Sequence, residues 1–516
     1  MKGWLILAKA IWILNDQCSV TNSSLAAWQD GDLVLMAESK KELDLPFAHQ
    51  KKTAFILGVN RTFAQTLTRE GKPVVYLDFR QSQPDWTQIE QLTRLTLDRQ
   101  LTEVWLMRPK SWSQRQELEL LANSGGFQFT FTRDTNLISD EAVMQPWFAA
   151  KSFRMETFYQ KMRRQTGLLM DISGQPVGGQ FNFDKANQQA LKQAPAKHPR
   201  LSFKKSPLLL EVLQEVQRYF PHQLGSCDSF YFSLTSEQAR RELDHFVAHI
   251  LPTFGQYQDN LILGDPYVSH SLLSAYINVG LLDPMEVCQA AELAYFRNQA
   301  SIETVEGFIR QILGWREYMF YKYLTLMPGL ESANHLHAHR PLPAFYWTGQ
   351  THMRCLAQAI TDTLEHAYSH HIQRLMITAN FATLAQINPH QVHQWYLGVY
   401  ADAWDWVEIP NTIGMGLFAD GGKIASKPYV SSAAYLRKMS NACRTCPYDP
   451  KALAGANACP FNALYWHFIA THQATLQHNT RMAMIVQSYR KFAPEKQAAI
   501  AGQAKAIFAR LDAGQL

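Results

Sequence analysis

The stretch "KKTAFILGVNRTFAQTLTREGKPVVYLDF", residues 51–79, sets a helical period beside a short apolar run. Residues 51–71 carry the helical rhythm, and "PVVYLDF" (73–79) reads as a buried strand. The same two rhythms recur on both sides. Upstream stand "WLILAKAIWIL" (4–14) and "DLVLMAE" (32–38), and downstream "EVWLMRP" (103–109) and "FQFTFTR" (127–133). Strands alternating with helices predict a parallel sheet flanked by helices, a Rossmann-like α/β domain over residues 1–135.

At 516 residues the chain exceeds one ordinary core, so further domains are expected. Residues 136–215 hold the Gly/Pro-rich "DISGQPVGGQFNFD" (171–184) and 11 basic against 7 acidic residues, and read as an extended basic interdomain linker. The excess is a candidate phosphate-binding strip, with a solvated linker as the plainer reading. From 216 to 516 helical patterns prevail, as in "VEGFIRQILGWREYMFYKYLTL" (305–326) and across 354–387, which predicts an all-helical domain. No run of eighteen apolar residues and no leader with a small-residue cleavage site stand out, so a cytoplasmic protein with no membrane contact is expected.

Seven cysteines in so long a chain do not form a disulfide framework. Three of them, Cys443, Cys446 and Cys459, crowd into "SNACRTCPYDPKALAGANACPFNALYWHF" (440–468), the first two spaced C-x2-C. Thiolates at that spacing suit zinc or an iron-sulfur cluster about equally, and Cys355 in "HMRCLAQAI" is the candidate fourth ligand. The histidines of "HLHAH" (335–339), and His366 with His370, would invite a zinc reading in isolation and are read as ordinary helix and loop residues.

Several segments together resemble the prokaryotic (6-4) photolyases, the iron-sulfur branch of the photolyase and cryptochrome family. They are "RMETFYQKMRRQTGLLMD" (154–171), "PVGGQFNFD" (176–184), "FGQYQD" (254–259), "IRQILGWREYM" (309–319), "FYWTGQT" (345–351), "YSHHIQRLM" (368–376), "YADAWDWVEIPNTIGM" (400–415) and the cysteine segment. The resemblance implies α/β plus all-α architecture, the C-terminal half being a helical FAD domain. Cys355, Cys443, Cys446 and Cys459 are then the ligands of a 4Fe-4S cluster. It also implies light-driven repair of (6-4) pyrimidine-pyrimidone photoproducts in UV-damaged DNA, with a cryptochrome-like blue-light photoreceptor as the alternative, and a monomer.

The resemblance distributes further roles. His270, Ser271, Leu273 and Ser274 match the phosphate loop for FAD, with Tyr257, Gln311 and Arg316 as further FAD contacts; without it, the loop is an ordinary capped helix start. Asp402 matches the acid beside the isoalloxazine, and Glu408 falls where other photolyases place an asparagine facing flavin N5. His371 matches the catalytic histidine of (6-4) repair, a role suited to imidazole, while Leu375 stands where animal enzymes have a second histidine. Tyr429, Tyr435 and Met415 resemble lesion-pocket walls, and Trp347, Trp395 and Tyr396 the chain that carries electrons to the flavin. Lys161, Arg163 and Arg164 are the expected DNA phosphate contacts. Met36, Ala37 and Glu38 fit in outline the lining of a 6,7-dimethyl-8-ribityllumazine antenna, although Asn15 replaces the usual glycine of the first turn. Asp184 and Asp259, with Glu408, are candidate ligands of a divalent cation such as Mg.

Overall fold

The computed structural model describes residues 8–148, 154–187 and 189–516, so the first residues of the predicted opening strand lie outside it. Five strands, β1 (Ala10–Trp12), β2 (Leu33–Ala37), β3 (Val74–Leu77), β4 (Glu103–Met107) and β5 (Gln128–Thr132), pair in parallel in the order β3-β2-β1-β4-β5. Ala10 of β1 is in register with Leu33 on one side and Val104 on the other. The strand order reverses at β1, which makes this the doubly wound sheet expected from the alternating rhythms.

Side chains alternate across each strand, and the two faces have different fates. Ala10, Trp12 and Leu14 pack with Leu35 and Leu106 against the helices Gln88–Asp98 and Trp112–Asn123. Ile11, Ile13, Val34 and Met36 face the helix Gln50–Arg69, and from there one unbroken apolar core runs into the C-terminal helices. The α/β unit and the helical half therefore share their interior.

The start of that helix is a junction. His49 caps it, its Nδ1 accepting from Lys51 N at 3.0 Å while its Nε2 donates to Leu364 O at 2.8 Å. Burial pushes the His49 pKa down to about 3, so the ring is neutral, as these two roles require. Lys51 donates to Ser226 O and Glu365 O (2.6 and 2.7 Å), and Lys52 to Leu397 O and Ala403 O (2.5 and 2.7 Å). Glu365 and Leu397 lie in the last turns of the helices Arg354–His366 and Pro389–Val399. Carbonyls there lack intrahelical donors and form the negative end of the dipole, so two buried ammonium groups pin helix ends to the α/β unit.

Residues 136–215 are less extended than their composition implies. They contain the helices Glu141–Phe148, Met155–Thr166, Asp184–Asn187 and Pro207–Tyr219. Met155–Thr166 packs on the π-helical turn Arg310–Arg316, because Met155, Phe158, Tyr159 and Met162 give it an apolar stripe. Residues 189–206 carry no helix or strand. Among the described residues no helix is long and apolar enough to cross a membrane.

Candidate active site and metal centre

Two irregularities bring the polar residues of the helical half together. The pattern over 354–387 is not one helix: Ala367 turns left-handed (φ 51°) after His366, and winding resumes as a π-helix over Ile372–Ala379. That break puts His370 and His371 at the mouth of a new helix. Opposite them, Val268, Ser269 and Leu272 take positive φ of 39°, 62° and 58°, a strained turn held by Asp265 Oδ1, which accepts from Tyr267 N and Val268 N. Strain of this kind accompanies ligand sites, and here it presents His270 and Ser271.

Asp402 is the hub. Ser274 Oγ donates to its Oδ2 at 2.6 Å, Arg374 Nη2 lies 3.0 Å from its Oδ1, and Asn278 Nδ2 donates to its backbone carbonyl at 2.9 Å. Arg316 is one residue removed, its Nε donating to Asn278 Oδ1 at 3.1 Å and its Nη1 pairing with Glu317. Lys52 is close enough for Asp402 and Glu408 to favour its charge, but burial dominates and pushes its pKa down to about 8. Glu408 forms a buried ion pair with His393 Nδ1, a partner the sequence reading did not find. Burial opposes charge on His393, but the Glu408 carboxylate outweighs it and raises the histidine's pKa.

Several buried atoms of the helical half have no hydrogen-bond partner: both ring nitrogens of His370, Arg316 Nη2, Gln258 Nε2 and Glu408 Oε1. Leaving donors and acceptors unpaired costs more than pairing them, so such a set fits a large polar ligand carrying both kinds of group, as FAD does. Tyr257 lies buried with Ile262 and Val268 beneath the strained turn. Gln311 is exposed and donates back to Gly307 O, so the structure does not bring it into the hub.

His371 is half-exposed beside this region. Its Nδ1 lies 3.2 Å from His270 Nε2, and its Nε2 lies 3.3 Å from Asp259 Oδ1. His270 and His370 stack at 4.4 Å with an interplanar angle of 12°, so their lone pairs run side by side instead of meeting on one centre. Burial, and after it the Asp259 charge, raises the Tyr435 pKa. Burial likewise raises the Tyr429 pKa, and Met415 is half-buried in the turn Pro410–Gly416. The predicted cation triad does not assemble. Asp184 pairs with Arg310 at 2.8 Å, Asp259 faces His371, and Glu408 is held by His393.

The aromatic chain is longer than its motifs suggested. Trp395 meets Tyr396 at 5.5 Å, Tyr346 at 5.2 Å and Tyr400 at 5.9 Å, and Arg374 lies 3.8 Å over the Tyr400 ring. Tyr346 and Tyr400 stand inside the motifs "FYWTGQT" and "YADAWDWVEIPNTIGM", where they carried no assigned role. Trp347 is half-buried and turns to Phe47 at 5.3 Å.

Two other groups need correction. Arg163 is fully buried, donating through Nε to Leu168 O, through Nη1 to Phe181 O and through Nη2 to Leu169 O, so it holds a loop and cannot touch DNA. Lys161 lies 3.8 Å over the Trp147 ring, and the exposed Arg164 lies 4.7 Å over Phe181. Glu38 is buried and saturated: Arg61 donates twice, at 2.7 and 3.1 Å, and Tyr76 OH and Phe79 N donate at 2.6 and 2.9 Å. With Met36 also buried, these residues offer no free acceptor to an antenna.

The four cysteines do converge. Cys355 opens the helix Arg354–His366, Cys443 lies in the turn Ala442–Arg444, Cys446 follows, and Cys459 caps the helix Pro460–Thr471. They line one small pocket together with Met353, Leu436 and Tyr448. Among the described residues, the one trio of His, Cys, Asp or Glu ligand atoms within 4.8 Å of one another is His270, His370 and His371, so no three of these sulfurs all lie that close together. A tetrahedral zinc site with Zn–S of about 2.3 Å needs sulfurs about 3.8 Å apart. Burial pushes the Cys459 thiol up to about 12 and raises Cys355 and Cys443, so a metal must drive their deprotonation.

Comparison with known proteins bears on all of this. Residues 11–232 match the family described as "Deoxyribodipyrimidine photo-lyase-related protein". A (6-4) photolyase from Agrobacterium fabrum is 42% identical over 510 residues, covering 98% of this chain and 100% of that protein. The crystal structure of a bacterial class III photolyase from Agrobacterium tumefaciens has TM-score 0.57 at 14% identity, over 92% of this chain and 99% of its own. A Synechocystis cryptochrome structure also has TM-score 0.57, at 11% identity, over 96% of this chain and 100% of its own. At such identities the two structures speak for the fold alone. The full-length relation goes further: this chain belongs to the (6-4) photolyase family.

Proposed function

We propose that this protein is a DNA photolyase of the (6-4) type, a carbon-carbon lyase that restores two pyrimidines from the pyrimidine-pyrimidone photoproduct in UV-damaged DNA. The observation that carries the reading is the 42% identity along the whole of a (6-4) photolyase. FAD would be held by Ser271, Ser274, Asp402 and Arg374, with Arg316, Gln258 and His370 contributing buried polar atoms that now lack partners. The chemistry a reduced flavin supplies under light is one electron, lent to the lesion and recovered when the bond between the bases is broken.

The chain's own residues do the rest. Arg374 and Asp402 form a buried charge pair that fixes the floor of the site, and the Tyr400, Trp395 and Tyr346 rings pack outward from it. Tyr435, Met415 and Tyr429 offer aromatic and soft apolar walls to a base turned out of the duplex. His371 stands half-exposed with Asp259 against it, able to hold a proton at the lesion. Lys161 and Arg164 remain the candidate phosphate contacts. Cys355, Cys443, Cys446 and Cys459 would hold a 4Fe-4S cluster, an assignment supported by their lining one pocket and by the resemblance to the iron-sulfur branch. The chain is read as a monomer.

Illuminating the purified protein with a duplex carrying one (6-4) lesion tests the reading. Intact pyrimidines should appear in the light and not in the dark. A lesion that survives illumination of flavin-loaded protein would overturn the proposal in favour of a cryptochrome-like light receptor.

A further inference from the structure

His371 meets a second imidazole, His270, from 101 positions away in the chain. His270 Nδ1 faces two backbone carbonyls, Tyr267 O at 2.8 Å and Val268 O at 3.1 Å. A carbonyl only accepts, so Nδ1 carries the proton, and Nε2 of a neutral His270 is a bare acceptor. Burial, then the neighbouring His371, pushes the His270 pKa down to about 3, in keeping with a neutral ring. The group 3.2 Å from that bare nitrogen is His371 Nδ1, which must therefore donate.

We infer that His270 is a positioning residue: its backbone-locked tautomer holds a proton on Nδ1 of His371 and leaves Nε2 as the nitrogen that exchanges a proton at the mouth of the site. This rests on the repair reading above. The groups facing His371 are His270, its stacked neighbour His370 and Asp259; the Asp259 charge reaches Tyr435, and the Arg374 charge reaches His370. The Asp259 carboxylate accepts from Nε2 when His371 is protonated, so the cation has both nitrogens engaged. On transfer the Nε2–H bond breaks and a bond from that proton to a lesion heteroatom forms, with the positive charge moving to the lesion. His371 is left neutral as the Nδ1–H form, and the reverse transfer restores it. The neutral Nδ1–H form is the one an unconstrained imidazole disfavours, which makes it diagnostic.

The test is two-bond ¹⁵N–¹H spectroscopy of the FAD-loaded protein labelled at histidine, from about pH 5 to about pH 9. The neutral form of His371 should carry its proton on Nδ1. In His270→Phe the ring still stacks on His370 but accepts nothing, so the proton should move to Nε2 and repair should fall at least about tenfold. In His270→Gln the amide oxygen can accept, so Nδ1–H should persist, with repair within about threefold of wild type. A wild-type His371 that is neutral as Nε2–H, or a tautomer unmoved in His270→Phe, overturns the inference. If the Phe variant fails to fold, the wild-type spectrum decides alone. The expected tautomers in a protein that repairs no lesion would uphold the positioning and sink the enzymatic reading instead.

Discussion

Arg163 and Arg164 are adjacent in sequence and opposite in physics. Arg163 points inward and its guanidinium is spent on three loop carbonyls, whereas Arg164 is exposed over Phe181. Arg163→Ala would strand those buried carbonyls, so it should destabilise the fold by about 3 kcal/mol, read as a shift in the denaturant midpoint. Lysine would not rescue it, since one ammonium cannot replace a planar fork that serves three acceptors. Arg164→Ala should leave stability within about 0.5 kcal/mol. Each phosphate contact contributes about 0.9 to the slope of log affinity against log salt, so DNA binding by the Arg164→Ala variant should lose about that much slope. An unchanged slope would remove Arg164 from the DNA surface.

At the scale of elements, the two lysines that open the helix Gln50–Arg69 matter more than the strands beside them. Lys52 is fully enclosed, and its ammonium serves the end of the helix Pro389–Val399. Burial lowers its pKa from 10.5 to about 8, against the favourable charges of Asp402 and Glu408. The unfolded chain therefore binds the proton more tightly, and stability rises with pH wherever the unfolded state holds more protons. Below about pH 8 both states are protonated and the penalty is constant. Between there and pH 10.5 the penalty is relieved, so wild type should gain up to about 3 kcal/mol relative to Lys52→Met. Paired denaturant melts across that window check it. A difference that stays flat or falls would show that Lys52 keeps an ordinary pKa in its niche.

For the whole molecule, periodicity carried the architecture into view, because strands and amphipathic helices write their burial into local spacing. What it could not show were contacts made across long separations. The basic run around Arg163 reads the same whether a residue faces water or a loop, and nothing in "EHAYSHH" marks Ala367 as the end of a helix. Glu408 was legible, its partner His393 was not; Asp402 was legible, its neighbour Lys52 was not. The cysteine set was legible because spacing and chemistry agree. Those four sulfurs line one pocket between the helix Arg354–His366, which ends four residues before His370, and the helix Pro460–Thr471 far along the chain. A cluster there would staple the floor of the site to the C-terminal bundle, and metal binding of this kind is folding free energy. Cys446→Ser removes a half-buried ligand, so bound iron and soluble yield should fall together, measured by metal analysis and by the fraction surviving centrifugation. A variant that folds, melts at the wild-type temperature and repairs normally without iron would show that packing alone holds these helices.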